Sequence, residues 1–319
     1  MPKGCKHLTY EQRCQIDTLK ERGDTISQIA KVVGVHRCTI NRELSRNSGK
    51  RGYHYKQAQS KSASRRASAP NKKMTSATIF VIEEKLKKQW SPVQISGRMK
   101  KLGEGNISHE TIYKHIWADK KKGGFLYKEL RHCGKKYNKR SKGTIAGRGC
   151  IPGRIDITQR PSIVEEKIRL GDWELDTIVG AGQSGAIVSM VDRASKVSKL
   201  VKVSRKTLDN INIALIKKLK PLEQFVHTLT SDNGKEFAGH QVVAKELGAE
   251  FYFATPYHSW ERGLNEHTNG LVRQYLPKEK LFTDISQEDV DRIEELINSR
   301  PRKILNFETP LETFARLSG

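Results

Sequence analysis

Apolar positions recur at helical spacing through the first 130 or so residues and at alternate positions after about residue 170. The chain therefore reads as a helical half followed by an α/β half. Thr9–Glu21 places Ile16 and Leu19 at helical spacing and ends before Gly23. Thr25–Val33 carries Ile26, Ile29, Ala30 and Val33 up to Gly34, and His36–Ser45 sets Ile40 and Leu44 four apart before Asn47-Ser48-Gly49. Ala30 lets the second and third helices approach, Gly34 turns the chain, and Ile40 packs back into a small core. That is helix-turn-helix spacing, in which the last helix lies in the DNA major groove. Its outer face presents Arg37, Thr39, Asn41 and Arg42. Arginine matches guanine O6/N7 and asparagine matches adenine N6/N7. An ordinary three-helix bundle with a polar outer face is the alternative.

Domain boundaries follow from changes in this pattern. Residues 1–55 form the helix-turn-helix domain, and the polar, basic stretch 56–75 reads as a linker. Residues 76–132 form a second helical unit. It has a stripe at Ile79, Ile82 and Leu86, a Ser91-Pro92 helix start, Ile95 and Met99 on the next helix, and Ile112 and Ile116 on one capped by Ser108. A second helix-turn-helix with a longer turn fits, with a plain helical spacer as its rival. Residues 133–165, rich in Lys, Arg and Gly, read as a flexible basic linker.

From residue 166 onward the pattern changes to strands. Asp172–Val179, Ala186–Val191 and Val197–Val203 predict three strands joined by turns, followed by a helix at Leu208–Leu219 and a strand at Phe225–Thr230. A helix at Lys235–Leu247, a strand at Glu250–Ala254 and helices at Glu261–Tyr275, Gln287–Asn298 and Pro310–Arg316 complete an α/β sheet covered by helices. Gly180-x-Gly182-x-x-Gly185 matches a dinucleotide-binding fingerprint, but the apolar, β-branched run Ala186–Val191 follows where that motif needs a helix. The glycines are expected in a hairpin loop.

Charge separates the two halves further. The net charge is +24, yet residues 1–160 hold 37 Lys+Arg against 12 Asp+Glu while residues 161–319 hold 22 against 23. A surplus so segregated points to a polyanion-binding half joined to a half with another task. No apolar run is long enough to span a membrane, and the start MPKGCKHLTYEQRC lacks the apolar core of a secretory signal. No membrane partner and a cytoplasmic location are expected. The cysteines Cys5, Cys14, Cys38, Cys133 and Cys150 form no C-x-x-C pair, so free thiols are expected over zinc sites built on Cys5, His7 and Cys14 or on His132, Cys133 and Cys150.

Candidate chemistry lies with three acids. Asp176 stands within a predicted strand, where an acid is costly unless paired or bound to a cation. Asp232 follows a strand and opens an Asn233-Gly234 loop. Glu266 lies on a helix with Arg262 four residues before it, Asn269 three after and Arg273 seven after, all on about one face. Each acid alone could be a turn, a cap or a surface pair.

Their surroundings are more specific. Trp173-Glu174-x-Asp176, then Ser231-Asp232-Asn233-Gly234-x-Glu236-Phe237, then Glu261-Arg262-Gly263-x-Asn265-Glu266-x-x-Asn269-Gly270-x-x-Arg273-Gln274-Tyr275-x-Pro277 resembles the integrase core of DDE transposases. It is most similar to the bacterial family typified by insertion sequence thirty, with 33 residues between Asp232 and Glu266. The resemblance spans nearly the whole chain. It implies a ribonuclease H-like catalytic core at 166–319, a mixed sheet flanked by helices and preceded by all-α DNA-binding units. It also implies Asp176, Asp232 and Glu266 as catalytic and metal-binding residues. Asp172, Glu174 and Glu261 are nearby alternatives that motif position disfavours.

The activity so implied is cleavage at the ends of a bacterial insertion sequence and strand transfer into target DNA. A pair of Mg2+ ions per active site, or Mn2+ in their place, is expected to clamp the attacking and leaving oxygens. No P-loop is present, so no nucleotide cofactor is expected. Lys235, Arg262 and Arg273 are candidate contacts to DNA phosphates, and Tyr257 and Trp260 candidate stacking residues. The partners expected are double-stranded DNA, as terminal repeats and target, and further copies of the chain in a homodimer or larger assembly on DNA. Two other readings are a helix-turn-helix regulator whose second half binds a ligand or a partner, and a nuclease on the same fold that cuts without joining.

Overall fold

The computed structural model describes residues 7–68, 74–131, 151–256 and 258–319. It divides into two compact units, Met1–Lys72 and Lys73–Gly319.

In the first unit, α1 (Tyr10–Glu21), α2 (Ile26–Val33) and α3 (Arg37–Asn47) surround Ile16, Ile29 and Ile40, all essentially inaccessible to solvent. Thr9 and Thr25 begin α1 and α2 with reciprocal capping bonds to Gln12 and Gln28. Gly34 ends α2 with φ +71°, a left-handed conformation that glycine adopts without the steric cost of a Cβ. Beneath α3 the guanidinium of buried Arg13 forms a fork with Glu43, donating from Nε at 2.7 Å and from Nη2 at 3.3 Å. The Tyr53 hydroxyl donates to the same carboxylate at 3.2 Å.

The stretch expected as a linker at 56–75 is instead largely helical. Helix α4 (Tyr55–Ser68) packs on the first unit with Ala58 fully buried, and Arg13 donates to Gln59 Oε1 at 2.8 Å and to Ser62 Oγ at 3.3 Å. Packing that needs one small apolar residue and a few hydrogen bonds leaves almost no hydrophobic signature.

The second unit begins with α5 (Ser76–Lys87), α6 (Pro92–Lys101) and α7 (His109–Lys121), which enclose Ile82, Leu86, Ile95, Ile112 and Ile116. Their surface meets the C-terminal segment. Arg98 is ion-paired with Glu312, and Lys101 Nζ lies 2.9 Å from Glu308. Gly97 of α6 faces the ring of Phe307, and a Cβ there would overlap the ring at Cε1. Gly97→Ala should destabilise the protein by about 1–3 kcal/mol, because overpacking costs more than the roughly 0.5–1 kcal/mol that alanine contributes within a helix. A lowered urea midpoint checks this; an unchanged or raised one refutes it.

Residues 151–165, expected as linker, pack with the sheet. Ile151 is buried in the sheet's core, Asp156 bridges to Phe253, and α8 (Ile163–Glu166) follows. Residues 132–150, the rest of that expected linker with His132, lie outside the described residues.

The sheet has five strands in the order β3-β2-β1-β4-β5: β1 (Asp172–Val179), β2 (Ala186–Asp192), β3 (Ser198–Val203), β4 (Thr228–Ser231) and β5 (Glu250–Phe253). β1, β2 and β3 pair antiparallel, while β4 and β5 continue parallel to β1. A three-strand meander followed by parallel crossovers is the ribonuclease H-like arrangement. Helices α9 (Leu208–Leu219) and α10 (His240–Leu247) cover one face, around Trp173, Leu175 and Leu215. Helices α11 (Gly263–Tyr275) and α12 (Gln287–Asn298) cover the other, around Ile178, Leu200 and Val272, and α13 (Pro310–Leu317) ends the chain. Short 3-10 turns at Lys235–Phe237 and Ser259–Arg262 replace the first turns expected of α10 and α11. The glycine-rich stretch after β1 is a hairpin connection. Among the described residues, no helix is long and apolar enough to cross a membrane.

Candidate active site and DNA-reading face

Alternation along β1 sends Trp173 and Leu175 into one core and Glu174, Asp176 and Ile178 toward α11. The three acids of this strand are held differently. Asp172, 1% exposed, takes a bidentate fork from Arg169 at 2.9 and 2.9 Å and a hydrogen bond from Thr228 Oγ1 at 2.8 Å. Glu174, 2% exposed, lies 3.3 Å from Arg193 Nη1 and accepts from the Asn265 backbone N–H at 3.3 Å. Asp176 keeps 22% of its side chain exposed. Its Oδ1 accepts from the Thr177 backbone N–H and its Oδ2 from Asn269 Nδ2, each at 2.8 Å. Of the three, Asp172 and Glu174 are sealed by arginines and Asp176 stays partly exposed.

Asp232 follows the end of β4, the parallel neighbour of β1, so the two carboxylates emerge side by side. The Gly234 backbone N–H donates to Asp232 Oδ1 at 3.0 Å and fixes its direction. One guanidinium spans the pair: Arg262 Nη1 is 3.8 Å from Asp176 Oδ1 and Nη2 is 3.6 Å from Asp232 Oδ2. Burial pushes the Asp176 carboxyl above its usual pKa and the Asp232 charge adds to this, while Arg262, Thr177 and Asn269 oppose it.

Glu266 is exposed on α11. At about 100° per residue it shares a helix face with Asn269, which reaches Asp176, as does Arg262 at the N-cap just before the helix. Among the described residues, no three His, Cys, Asp or Glu side chains lie close enough together to hold a metal ion. The structure thus brings together Asp176, Asp232, Arg262 and Asn269, with Glu266 on the adjoining helix face but outside the acidic pair. Glu261, the other acid nearby, accepts from the Thr255 backbone N–H at 2.8 Å and pairs with His258 at 3.3 Å.

Two contributors to the site are poorly marked in the sequence. Asn269 stands out there only as a neighbour of Glu266 on one helix face, and Ser189 carries no signal at all. Buried Ser189 on β2 donates to Asn269 Oδ1 at 2.9 Å, which leaves the Asn269 amide N–H₂ aimed at Asp176. Their pairing depends on β2 lying beside β1 under α11, which no local motif encodes. Arg273 reaches the end of β1, donating to the Val179 carbonyl at 2.7 Å, and Lys235 is exposed just after Asp232. Tyr257 and the Trp260 side chain lie outside the described residues. His267 lines a cavity beside α11, where desolvation and the charges of Arg302, Arg131 and Arg300 lower its pKa.

On the first unit, Arg37, Asn41 and Arg42 are exposed on α3 and Thr39 is partly exposed. Cys14 and Cys38 are free thiols, and Cys5, Cys133 and Cys150 lie outside the described residues.

A helix-turn-helix domain model matches residues 5–47, the segment that contains α1 to α3. Over the full length, the chain is 44% identical to the transposase for insertion sequence element IS4351 of Bacteroides fragilis, across 98% of this chain and 96% of that protein. It is 32% identical to transposase InsI for element IS30A of Escherichia coli K12, across 97% of this chain and 84% of that one. The chain belongs to the insertion sequence thirty family of transposases. A further family relative, the transposase for element IS1086 of Cupriavidus metallidurans, is 36% identical across 98% of this chain and 95% of its own. The catalytic core domain of BIV integrase superposes with a TM-score of 0.37 at 19% identity, covering 46% of this chain and 94% of that domain. At that score the strand order, and not the superposition, carries the fold assignment of this transposase.

Proposed function

We propose that this transposase binds the terminal inverted repeats of a bacterial insertion sequence through α3 and its flanking basic surface. It then cuts and joins DNA strands at a centre formed by Asp176, Asp232 and Glu266. The observation that carries this reading is the pair of carboxylates on neighbouring parallel strands, Asp176 within β1 and Asp232 just past the end of β4, spanned by one arginine. Burial raises the Asp176 pKa, and the repulsion between two acids so placed adds to it. Such a pair, all oxygen donors, fits a hard divalent cation such as Mg2+ or Mn2+. Asp176 and Asp232 would hold it, with Glu266 joining from α11. A pair of such ions supplies, when bound, positive charge against a phosphodiester undergoing in-line displacement.

The chain's own groups have definable tasks. Asn269 and the Thr177 N–H hold both Asp176 oxygens, and the Gly234 N–H holds Asp232, so neither carboxylate must be ordered during reaction. Arg262 keeps the two acids together in the metal-free protein. Exposed Lys235 stands ready for a DNA phosphate, while Arg273 anchors the helix that carries Glu266. Arg37, Asn41 and Arg42 read base edges, with Thr39 beside them. Joining needs two element ends at once, so a homodimer or larger assembly on DNA belongs to the proposal.

The test incubates the full chain with duplexes carrying the element's terminal repeats, a target duplex and Mg2+. Joined products that vanish with a chelator support the proposal. Cleavage without joining would favour a nuclease, and specific binding without either reaction a regulator.

A pH effect follows for the metal-free protein. A carboxyl whose pKa is higher in the folded state weakens the fold once it ionises. Asp176 should therefore cost stability as pH rises from the ordinary carboxylate value, about 3.9, through its raised folded value. Asp176→Asn should gain stability relative to wild type as pH rises above the ordinary carboxylate value in urea unfolding. A difference independent of pH would contradict the assignment.

A further inference from the structure

A cavity of about 1260 Å³ lies between the α5–α7 unit and the catalytic sheet. Two pairs of buried arginines border it, and they are treated differently. Arg160 and Arg193 share Glu165, with Arg193 Nη2 at 2.9 Å, and Arg193 also faces Glu174. Arg300 and Arg302, just beyond α12, meet only neutral acceptors. Arg300 donates to Gln274 Oε1 at 3.2 Å and to the Tyr275 hydroxyl at 2.5 Å, and Arg302 donates to the Ile297 carbonyl at 3.1 Å. They are 2% and 8% exposed, and the Nε of each is buried without a hydrogen-bond partner.

Arg131 adds a third guanidinium. Its Nη2 sits against Gly270 of α11, where a Cβ would come within 2.6 Å. Among the described residues, no carboxylate forms an ion pair with any of the three. The segment 132–150 that follows Arg131 contains no Asp or Glu to supply one. Burial, then the charges of Arg300 and Arg131, push the Arg302 guanidinium down to about 10. Burying the Arg300 and Arg302 charges together, beside an exposed third in Arg131, without a counter-charge is costly, and an anion from outside relieves it.

We propose that Arg300, Arg302 and Arg131 form a phosphate site that grips the DNA backbone across α11 from the acidic pair. Leu264, Thr268 and Leu271, which line this cavity, lie roughly opposite Glu266 and Asn269 around the helix. A DNA strand held there would brace the helix that presents Glu266. The cavity is far larger than a phosphate ion, and Tyr113 and Trp117 line it with aromatic surface suited to a nucleotide. The inference rests on the reading that the chain acts on DNA, and the test separates the two. Binding of DNA by wild type examines that reading, and the differences between variants examine this site.

The experiment measures affinity of full-length wild type, Arg302→Gln and Arg131→Gln for a terminal-repeat duplex over a series of salt concentrations. It also measures thermal unfolding of each protein without DNA. Each variant should show a log K against log salt slope shallower by about 0.9, as for one fewer phosphate neutralised. Arg302→Gln should melt no lower than wild type, because it removes an unpaired buried charge. Wild-type slopes in both variants would overturn the proposal. So would a lower melting temperature in Arg302→Gln combined with a wild-type slope in Arg131→Gln, which marks Arg302 as structural. If Arg302→Gln does not fold, the Arg131→Gln slope decides alone. If inorganic phosphate raises the melting temperature of wild type but not of Arg302→Gln while the slopes stay equal, the site holds a free anion and the assignment to DNA fails.

Discussion

Glu43→Ala should unfold the first unit while leaving the second intact. Glu43 is 8% exposed and takes both ends of the Arg13 fork, and Arg13 is 3% exposed. Removing the carboxylate strands a guanidinium with only the Leu8 carbonyl, Gln59 and Ser62 as partners. Breaking one side of a buried pair costs about 3–5 kcal/mol, a large share of what so small a unit has to spare. The Tyr53 hydroxyl is left without its acceptor as well. Circular dichroism should show loss of helix, and terminal-repeat binding should vanish with it. An Arg13→Met, Glu43→Leu double variant should recover much of the loss, because replacing both charges by apolar groups leaves no buried charge stranded. A double variant no more stable than Glu43→Ala would show that the pair is not the source.

The second large effect is expected in the catalytic half. Asp232→Asn should reduce strand joining by about 10³-fold or more, since a group that acts on transition-state charge is worth several kcal/mol. The fold should survive. Asparagine can still accept the Gly234 N–H bond, and the side chain is 22% exposed and not locked in a core. Arg262 would be left with Asp176 as its carboxylate partner. An unchanged melting temperature together with abolished joining separates a catalytic role from a structural one.

Much of this architecture is legible in the sequence because its signals are local. The spacing of Ile29, Ala30, Gly34 and Ile40 lies within a dozen residues, and it marks the helix-turn-helix. Alternation along β1 and the turn at Asp232-Asn233-Gly234 mark the sheet and one strand end. What stays hidden depends on distant partners. No local pattern says that Arg169 closes off Asp172 or that Arg193 faces Glu174, so in the sequence only motif resemblance favours Asp176. The same holds for Ser189 orienting Asn269, and for Arg262 spanning an acid within β1 and another just past β4. Helix α4 and residues 151–165 look like linkers in the sequence because each joins its unit through few apolar side chains, chiefly Ala58 in one and Ile151 and Val164 in the other.

Glu266 is expected to act with Asp176 and Asp232 as one set, and the proposed chemistry depends on it. Glu266 stands outside the acidic pair, and Glu261 lies only five residues away in hydrogen bonds of its own. The most direct test compares Mg2+-dependent joining of terminal-repeat DNA by Glu266→Gln and Glu261→Gln, with folding monitored in parallel. Glu266→Gln should fold and fail to join, by a factor similar to Asp232→Asn, while Glu261→Gln should retain joining once folded. Joining by Glu266→Gln at the wild-type rate would contradict a three-acid centre.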